Sequence, residues 1–290
     1  MSLTILSNLA FCTFSTSRIM VREVLEDWFT FLGGKPKQVI FAVSPCDNPP
    51  PIYEELRVEG LIDQIIYLKP NGRSVGQMNP EGLRVAITAA KTEWVLLAKL
   101  DTLPWREGHE NWLSEAMRAV EHYNCLGLTS SAHNYYNLQS AEEGYSKTQK
   151  FSDNLSIIRR EDWLNIQDTY VGRNFDGSLL QNPKFAGEEL RFVNEAAIET
   201  FLEENQRYML VRWESLQWSV FHVNVWGEQL RQVRELYIAR KGVTPYLFTG
   251  KPHDQSKIHP WDMYYGYPKP SWFKRVRIWL GRWRREMFKV

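Results

Sequence analysis

The sequence predicts an α/β fold in which a mainly parallel sheet is flanked by helices. Three observations predict it. Short apolar, β-branched runs alternate with segments of helical spacing over residues 1–130, the pattern of βαβ units. The run Val39–Val43 is continuously apolar rather than alternating, as a strand buried on both faces requires. The chain has 290 residues, of which 43% are hydrophobic, enough for one large domain with or without a smaller appendage.

The elements follow in order. Leu3–Phe14 is an apolar run broken by Ser7-Asn8 and is expected as the first strand. Between Ser17 and Phe31, the residues Ile19, Met20, Val24, Leu25, Trp28 and Phe29 recur at helical spacing, and Gly33-Gly34 with Pro36 stop that helix. Strand Val39–Val43 opens into a loop, Ser44–Pro51, rich in Pro, Asp and Asn. A short helix at Ile52–Val58 leads to strand Ile65–Leu68, and a Gly/Pro/Asn loop is expected from Lys69 to Pro80. Helix Glu81–Ala90, strand Glu93–Lys99, helix Asn111–Tyr123 and strand Leu126–Thr129 complete the alternation. Beyond residue 130 the pattern weakens, with polar-aromatic stretches such as His133–Asn137. Residues 244–271 are rich in Pro, Tyr and His and read as an extended wrapping segment, and residues 271–290 are again helical in pattern.

Composition bounds the chemistry. Lys and Arg total 35 against 34 Asp and Glu, so net charge gives no reason to expect nucleic acid as a partner. Cys12, Cys46 and Cys125 are few and widely spaced, which fits a reducing cytosol rather than a disulfide framework or a zinc site. Polar residues interrupt the stretch Met1–Val21, and no run of about 18 apolar residues occurs, so neither a signal peptide nor a membrane span is expected. No GxGxxG and no Gly-x4-Gly-Lys-Ser/Thr is present, which excludes the usual dinucleotide and P-loop signatures.

Ligands of open parallel sheets bind beyond the carboxyl ends of the strands. The residues to inspect there are Ser15–Arg18, Ser44–Asn48 and Asp101-Thr102. Asp101 follows the apolar run Trp94–Ala98. A carboxylate in that position suits a divalent cation that bridges two phosphates and stabilises a departing nucleoside diphosphate. It equally suits a cap on the turn before Pro104.

The segment Arg84–Pro104 resembles the GT-A fold of family-2-type glycosyltransferases, in which a helix with an early Arg leads into an apolar strand ending in Asp-x-Asp. Lys99-Leu100-Asp101-Thr102-Leu103 stands where that motif belongs. It keeps one acid: either Lys99 replaces the first Asp, or Leu103 replaces the second. Other segments resemble the family in the same order. Phe14–Arg18 occupies the first strand-to-helix turn, and Asp47 follows the second long strand. Phe151–Arg160 resembles a strand ending in Arg-Arg before a helix, Phe175-Asp176-Gly177 a Phe-Asp-Glu turn, and Gly187-Glu188-Glu189-Leu190 a Glu-Asp motif.

The resemblance implies a GT-A-like catalytic unit at residues 1–245, with a nucleotide-binding half (1–130) and an acceptor half (130–245), followed by the wrapping segment and tail at 246–290. It implies transfer from a nucleoside-diphosphate sugar to a lipid-linked or cell-envelope glycan, with inversion, as in polysaccharide or lipopolysaccharide biosynthesis. Ser15, Arg18, Asp47, Arg84, Lys99 and Asp101 would bind the nucleotide. A divalent cation, Mn2+ or Mg2+, would sit on Asp101 with His222, although a His in an apolar run also suits a core. Glu189 would be the general base and Glu188 its substitute; both also suit a charged first turn of a helix. A nucleotidyltransferase of similar fold is the first alternative, but no Gly follows Phe14, where such enzymes keep a Gly-rich loop. A non-catalytic relative is the second, since the paired acid is gone.

The tail Ser271–Val290 carries Trp272, Val276, Trp279, Leu280, Trp283, Met287 and Phe288 mostly on one helical face. Lys274, Arg275, Arg277, Arg282, Arg284, Arg285 and Lys289 stand against one acid, Glu286. Such a helix suits an anionic membrane surface, each cation contributing ~1 kcal/mol. It also suits a terminal helix docked on the body with its basic face in water. The expected location is cytoplasmic, peripheral on the inner face of the cell membrane.

Overall fold

The computed structural model describes residues 5–15, 20–46, 49–72, 75–104, 111–129, 139–142, 144–171, 193–212, 220–222, 227–238 and 271–287. Strands β1 (Leu9–Ser15), β2 (Gln38–Val43), β3 (Gln64–Tyr67) and β4 (Trp94–Ala98) alternate with helices α1 (Val21–Leu32), α2 (Pro51–Val58) and α3 (Val75–Ala89). Then come β5 (Thr102–Pro104), α4 (Trp112–His122), β6 (Gly127–Thr129), β7 (Gln139–Ser140), β8 (Tyr145–Thr148), β9 (Leu155–Arg159) and α5 (Arg160–Tyr170). The described chain continues with α6 (Val193–Glu204), β10 (Met209–Arg212), β11 (Val220–His222), α7 (Gly227–Ile238) and α8 (Trp272–Met287).

Among the described residues, nine strands form one sheet in the order β3-β2-β1-β4-β9-β6-β10-β8-β7, and β5 pairs with β11 in a second, two-stranded sheet. The pairs β1–β2, β1–β4, β2–β3 and β6–β10 are parallel. Only β9 and β8 run against the rest. The sheet is therefore mainly parallel, as the apolar runs predict.

Both faces are covered. Leu9 and Phe11 of β1 join a core with Trp28 and Phe31 of α1, Tyr53 of α2 and Trp112 of α4. Ala10 and Cys12 face the other way, against Ala86 and Ile87 of α3, Trp163 of α5 and Ile198 of α6. This two-sided burial is why β1 and β2 carry no polar alternation. Trp112 stacks on Phe31 with centroids 4.4 Å apart and donates its indole N–H to the Phe31 carbonyl, which ties α4 to α1. Two glycines permit close approach. A Cβ on Gly82 would lie 2.3 Å from the Phe14 ring, and one on Gly127 would lie 2.1 Å from the Ile157 carbonyl oxygen.

Among the boundaries that differ from expectation, three have a visible cause. β1 starts at Leu9, not Leu3: Ile5-Leu6 are helical, and the Asn8 side chain bonds both the Glu93 carboxylate (2.8 Å) and the Glu93 N–H (3.0 Å), fixing the turn before the strand. α3 starts at Val75 rather than Glu81 and contains Pro80. Proline lacks the N–H an inner helical turn needs, yet here the Pro80 carbonyl accepts from Asn194 Nδ2 of α6 at 3.0 Å, so tertiary contact supports a helix that local propensity disfavours. β4 ends at Ala98, because Lys99–Thr102 forms a turn closed by Thr102 N–H to Lys99 O at 3.1 Å. The proposed wrapping segment falls almost entirely within 239–270, outside the described residues.

Candidate active site at the carboxyl end of the parallel strands

The carboxyl end of the sheet carries a concentration of buried polar residues in an otherwise apolar core. Thr13 and Ser15 of β1, Asp101, Thr102 of β5, Thr129 of β6, Ser152-Asp153-Asn154 and Ser156 of β9 are each at most 2% exposed. Such groups destabilise the fold unless they are hydrogen-bonded or serve a ligand. Several are bonded. Ser15 Oγ lies 2.7 Å from Tyr53 Oη of α2, and Ser156 Oγ donates to Ser152 O at 2.6 Å and lies 3.1 Å from Thr129 Oγ1. Thr13 Oγ1, Thr102 Oγ1 and Asp153 Oδ1 find no hydrogen-bond partner among the described residues.

Asp101 sits in the Lys99–Thr102 turn and is 1% exposed. Lys99, half-buried, begins the same turn. The second sheet supplies the next neighbour: β11 pairs antiparallel with β5, setting His222 opposite Thr102. The two residues expected at a metal, Asp101 and His222, thus come within one register position of each other despite lying 121 positions apart in sequence. No group of three His, Cys, Asp or Glu side chains among the described residues is arranged as a metal site. Catalytic Mg2+ needs no such group, since one or two side chains and the substrate phosphates complete its shell. Asp101, a buried carboxylate, is of the kind that such an ion takes as a ligand.

Beside this turn lies a group of charges that sequence reading did not single out. The chain enters β9 through Ser152–Asn154, and Leu155 pairs with Ala98, the last residue of β4. Ser152–Asn154 thus arrive where Lys99–Asp101 depart. α6 holds this entry in place. Glu195 accepts the Asp153 N–H at 3.0 Å, and Glu199 accepts Lys150 Nζ at 2.5 Å and the Phe151 N–H at 3.4 Å. Gln149 Nε2 donates to the Leu202 carbonyl at 3.0 Å. Burial pushes the Asp153 carboxyl up to about 7, with Glu195 adding to the rise, Lys99 and Lys150 opposing it, and Glu199 raising it further. Burial alone would lower the Lys150 ammonium, but Glu195, Glu199 and Asp153 outweigh it, so its pKa is raised. The signal available in sequence was the pair Glu195 and Glu199, four apart on one helical face among Val193, Ala196, Ala197 and Ile198.

The remaining expected residues are placed as follows. Arg84 donates to Asp168 of α5, so it links two helices of one layer. Arg18, Asp47, the Phe175–Gly177 turn, Glu188 and Glu189 lie outside the described residues, as do the side chains of His222, Arg282 and Trp283. Trp272, Lys274, Arg275 and Trp279 lie exposed on α8. No helix among the described residues is long and apolar enough to cross a membrane.

No family model matches the chain, and no curated protein matches it in sequence. Solved structures similar to it include TarS 1–349 of S. aureus, at 14% identity over 57% of this chain and 50% of that one, with a TM-score of 0.38. Another is a UDP-glucose pyrophosphorylase complexed with UDP-glucose, at 9% identity over 81% of this chain and 99% of that one, with a TM-score of 0.46. A third is the mannosyltransferase PcManGT from Pyrobaculum calidifontis in complex with GDP-Man and Mn2+, at 11% identity over 58% of this chain and 48% of that one, with a TM-score of 0.39. The matched regions span about half the length of the first and third of these.

Proposed function

We propose that the protein is a glycosyltransferase that uses a nucleoside-diphosphate sugar. The observation that carries the reading is Asp101, buried in a turn at the carboxyl end of the central parallel strands, with Lys99 in the same turn and His222 one register step away. The motif resemblance of Arg84–Pro104 supports it from the sequence side. Asp101 and His222 would hold a divalent cation, which when bound neutralises charge developing on the departing diphosphate. Lys99 adds a positive charge at the same place, and its ammonium can meet phosphate directly. Ser15, Arg18 and Asp47 would line the nucleotide pocket. Glu189, or Glu188 in its place, would take the proton of the acceptor hydroxyl, giving inversion; their assignment rests on the motif resemblance. The acceptor we propose is a lipid-linked or cell-envelope glycan.

Calorimetric titration with UDP and GDP, with and without Mn2+, tests this reading. Binding of at least one diphosphate, strengthened by Mn2+, is expected. Asp101→Asn is expected to keep the wild-type circular dichroism and to lose about 100-fold or more in transfer rate. A wild-type chain that binds no nucleoside diphosphate would sink the proposal and favour a non-catalytic protein. Release of pyrophosphate from a nucleoside triphosphate would favour a nucleotidyltransferase.

We further propose that α8 rests on an anionic membrane surface, which would place the enzyme peripherally on the cytoplasmic face. Trp272, Phe273, Trp279 and Leu280 are 64%, 79%, 62% and 48% exposed, and Lys274, Arg275 and Arg277 are exposed beside them. A helix docked on the body would bury those aromatics; a helix that lays them in a headgroup layer would not.

A further inference from the structure

We propose that Asp153 belongs to the donor site and receives a hydroxyl group of the transferred sugar, held in position by Glu195 and Glu199. The inference rests on the glycosyltransferase reading and adds to it a residue that reads the sugar rather than the nucleotide.

The geometry comes first. Because Leu155 pairs with Ala98, the chain leading into β9 occupies the end of the sheet where Lys99 and Asp101 leave β4. Asp153 is 2% exposed, and its Oδ1 has no hydrogen-bond partner among the described residues. The natural internal partner is already engaged: Lys150 Nζ bonds Glu199 at 2.5 Å. Glu195 and Glu199 bind the N–H groups of Asp153 and Phe151. The clamp fixes the backbone of this entry segment and leaves one carboxyl oxygen of Asp153 over. A buried acceptor left open is destabilising unless a donor arrives from a ligand.

Charge selects the donor. Glu195 and Glu199 outnumber Lys150 in this clamp, and the net negative charge disfavours a phosphate group. A neutral hydroxyl donor meets no such obstacle, and a carboxyl oxygen accepts from one readily. Lys99 lies close enough to lower the Asp153 carboxyl electrostatically, which sets Asp153 near the residue expected to meet the diphosphate. A sugar hydroxyl is the neutral donor that a nucleoside-diphosphate sugar presents beyond its phosphates.

The test compares Asp153→Ala with wild type by calorimetric titration. The probes are UDP and GDP alone, and UDP-glucose, UDP-GlcNAc and GDP-mannose. The expected result is unchanged affinity for the bare diphosphate, within about twofold, and a loss of about tenfold for the sugar nucleotide that wild type binds best. Equal weakening of both would show that Asp153 only supports the fold and would overturn the inference. Unchanged binding of both would overturn it as well. Asp153→Leu serves if the alanine variant fails to give the wild-type circular dichroism. If wild type binds none of the five probes, the glycosyltransferase reading fails and this inference with it. If wild type binds them and the variant shows no sugar-specific loss, the inference alone fails.

Discussion

Asp153 ties stability to pH as well as to a ligand. Its carboxyl, which ordinarily titrates near 3.8, is raised to about 7 in the fold, chiefly by burial. Between those values the folded state keeps a proton that the unfolded chain has released. Through this group, stability is fully present below the unfolded value, falls as pH rises toward 7, and is level above it. An amide at this position does not titrate. The melting temperature of Asp153→Asn, minus that of wild type, is therefore expected to grow more positive from pH 4.5 to 7 and then to plateau. Thermal melts across pH 4.5–8 check this, and a pH-independent difference would show that the carboxyl is not held neutral. Asp101 was legible in the sequence because an acid ending an apolar run is a local pattern. Asp153 was not, since its place depends on β9 entering the sheet beside β4 and on carboxylates from a helix about forty residues downstream.

Helices α1 and α4 were legible from apolar spacing and, for α1, from the Gly33 stop. The first turns of α3 were not, because Gly76, Asn79 and Pro80 read locally as a loop and the bond from Asn194 is tertiary. Packing between elements adds a contact with its own expectation. Arg234 of α7 bonds Asp27 of α1 through Nε at 2.6 Å and Nη2 at 2.9 Å, and Asp27 is 2% exposed. Removing Arg234 takes two charge-assisted hydrogen bonds from a buried carboxylate. Arg234→Met is expected to cost about 3 kcal/mol of unfolding free energy in urea, and Asp27→Asn in the same chain is expected to restore part of it. A loss below ~1 kcal/mol would mean that the pair does not hold α7 to α1.

On the scale of the whole molecule, the nucleotide and acceptor halves read from the sequence share one sheet. β9, from the second half, lies between β4 and β6 of the first. The sequence showed the alternation of the first half clearly but not this insertion, because an antiparallel strand of five residues has no marker of its partners. Outside the sheet, α8 presents its exposed aromatics and cations. Cutting the chain after Pro270 is expected to abolish co-sedimentation with phosphatidylglycerol vesicles and to leave diphosphate affinity unchanged within about twofold. Binding of the full chain is expected to weaken between low and high salt, as surface charge attraction does. Vesicle binding by the shortened chain would exclude α8 as the anchor.

The insertion of β9 also orders events during synthesis. Leu96 and Leu97 of β4 are fully buried, and on one side their cover is β9. When residues up to Thr129 have left the ribosome, β9 has not yet been made. Until Leu155–Arg159 emerge, β4 and β6 each present an unpaired, apolar strand edge of the kind that templates association with other chains. Nascent chains halted between residues 130 and 155 should therefore be the most aggregation-prone species this protein forms, and translation through that window the step at which a holding chaperone helps it most.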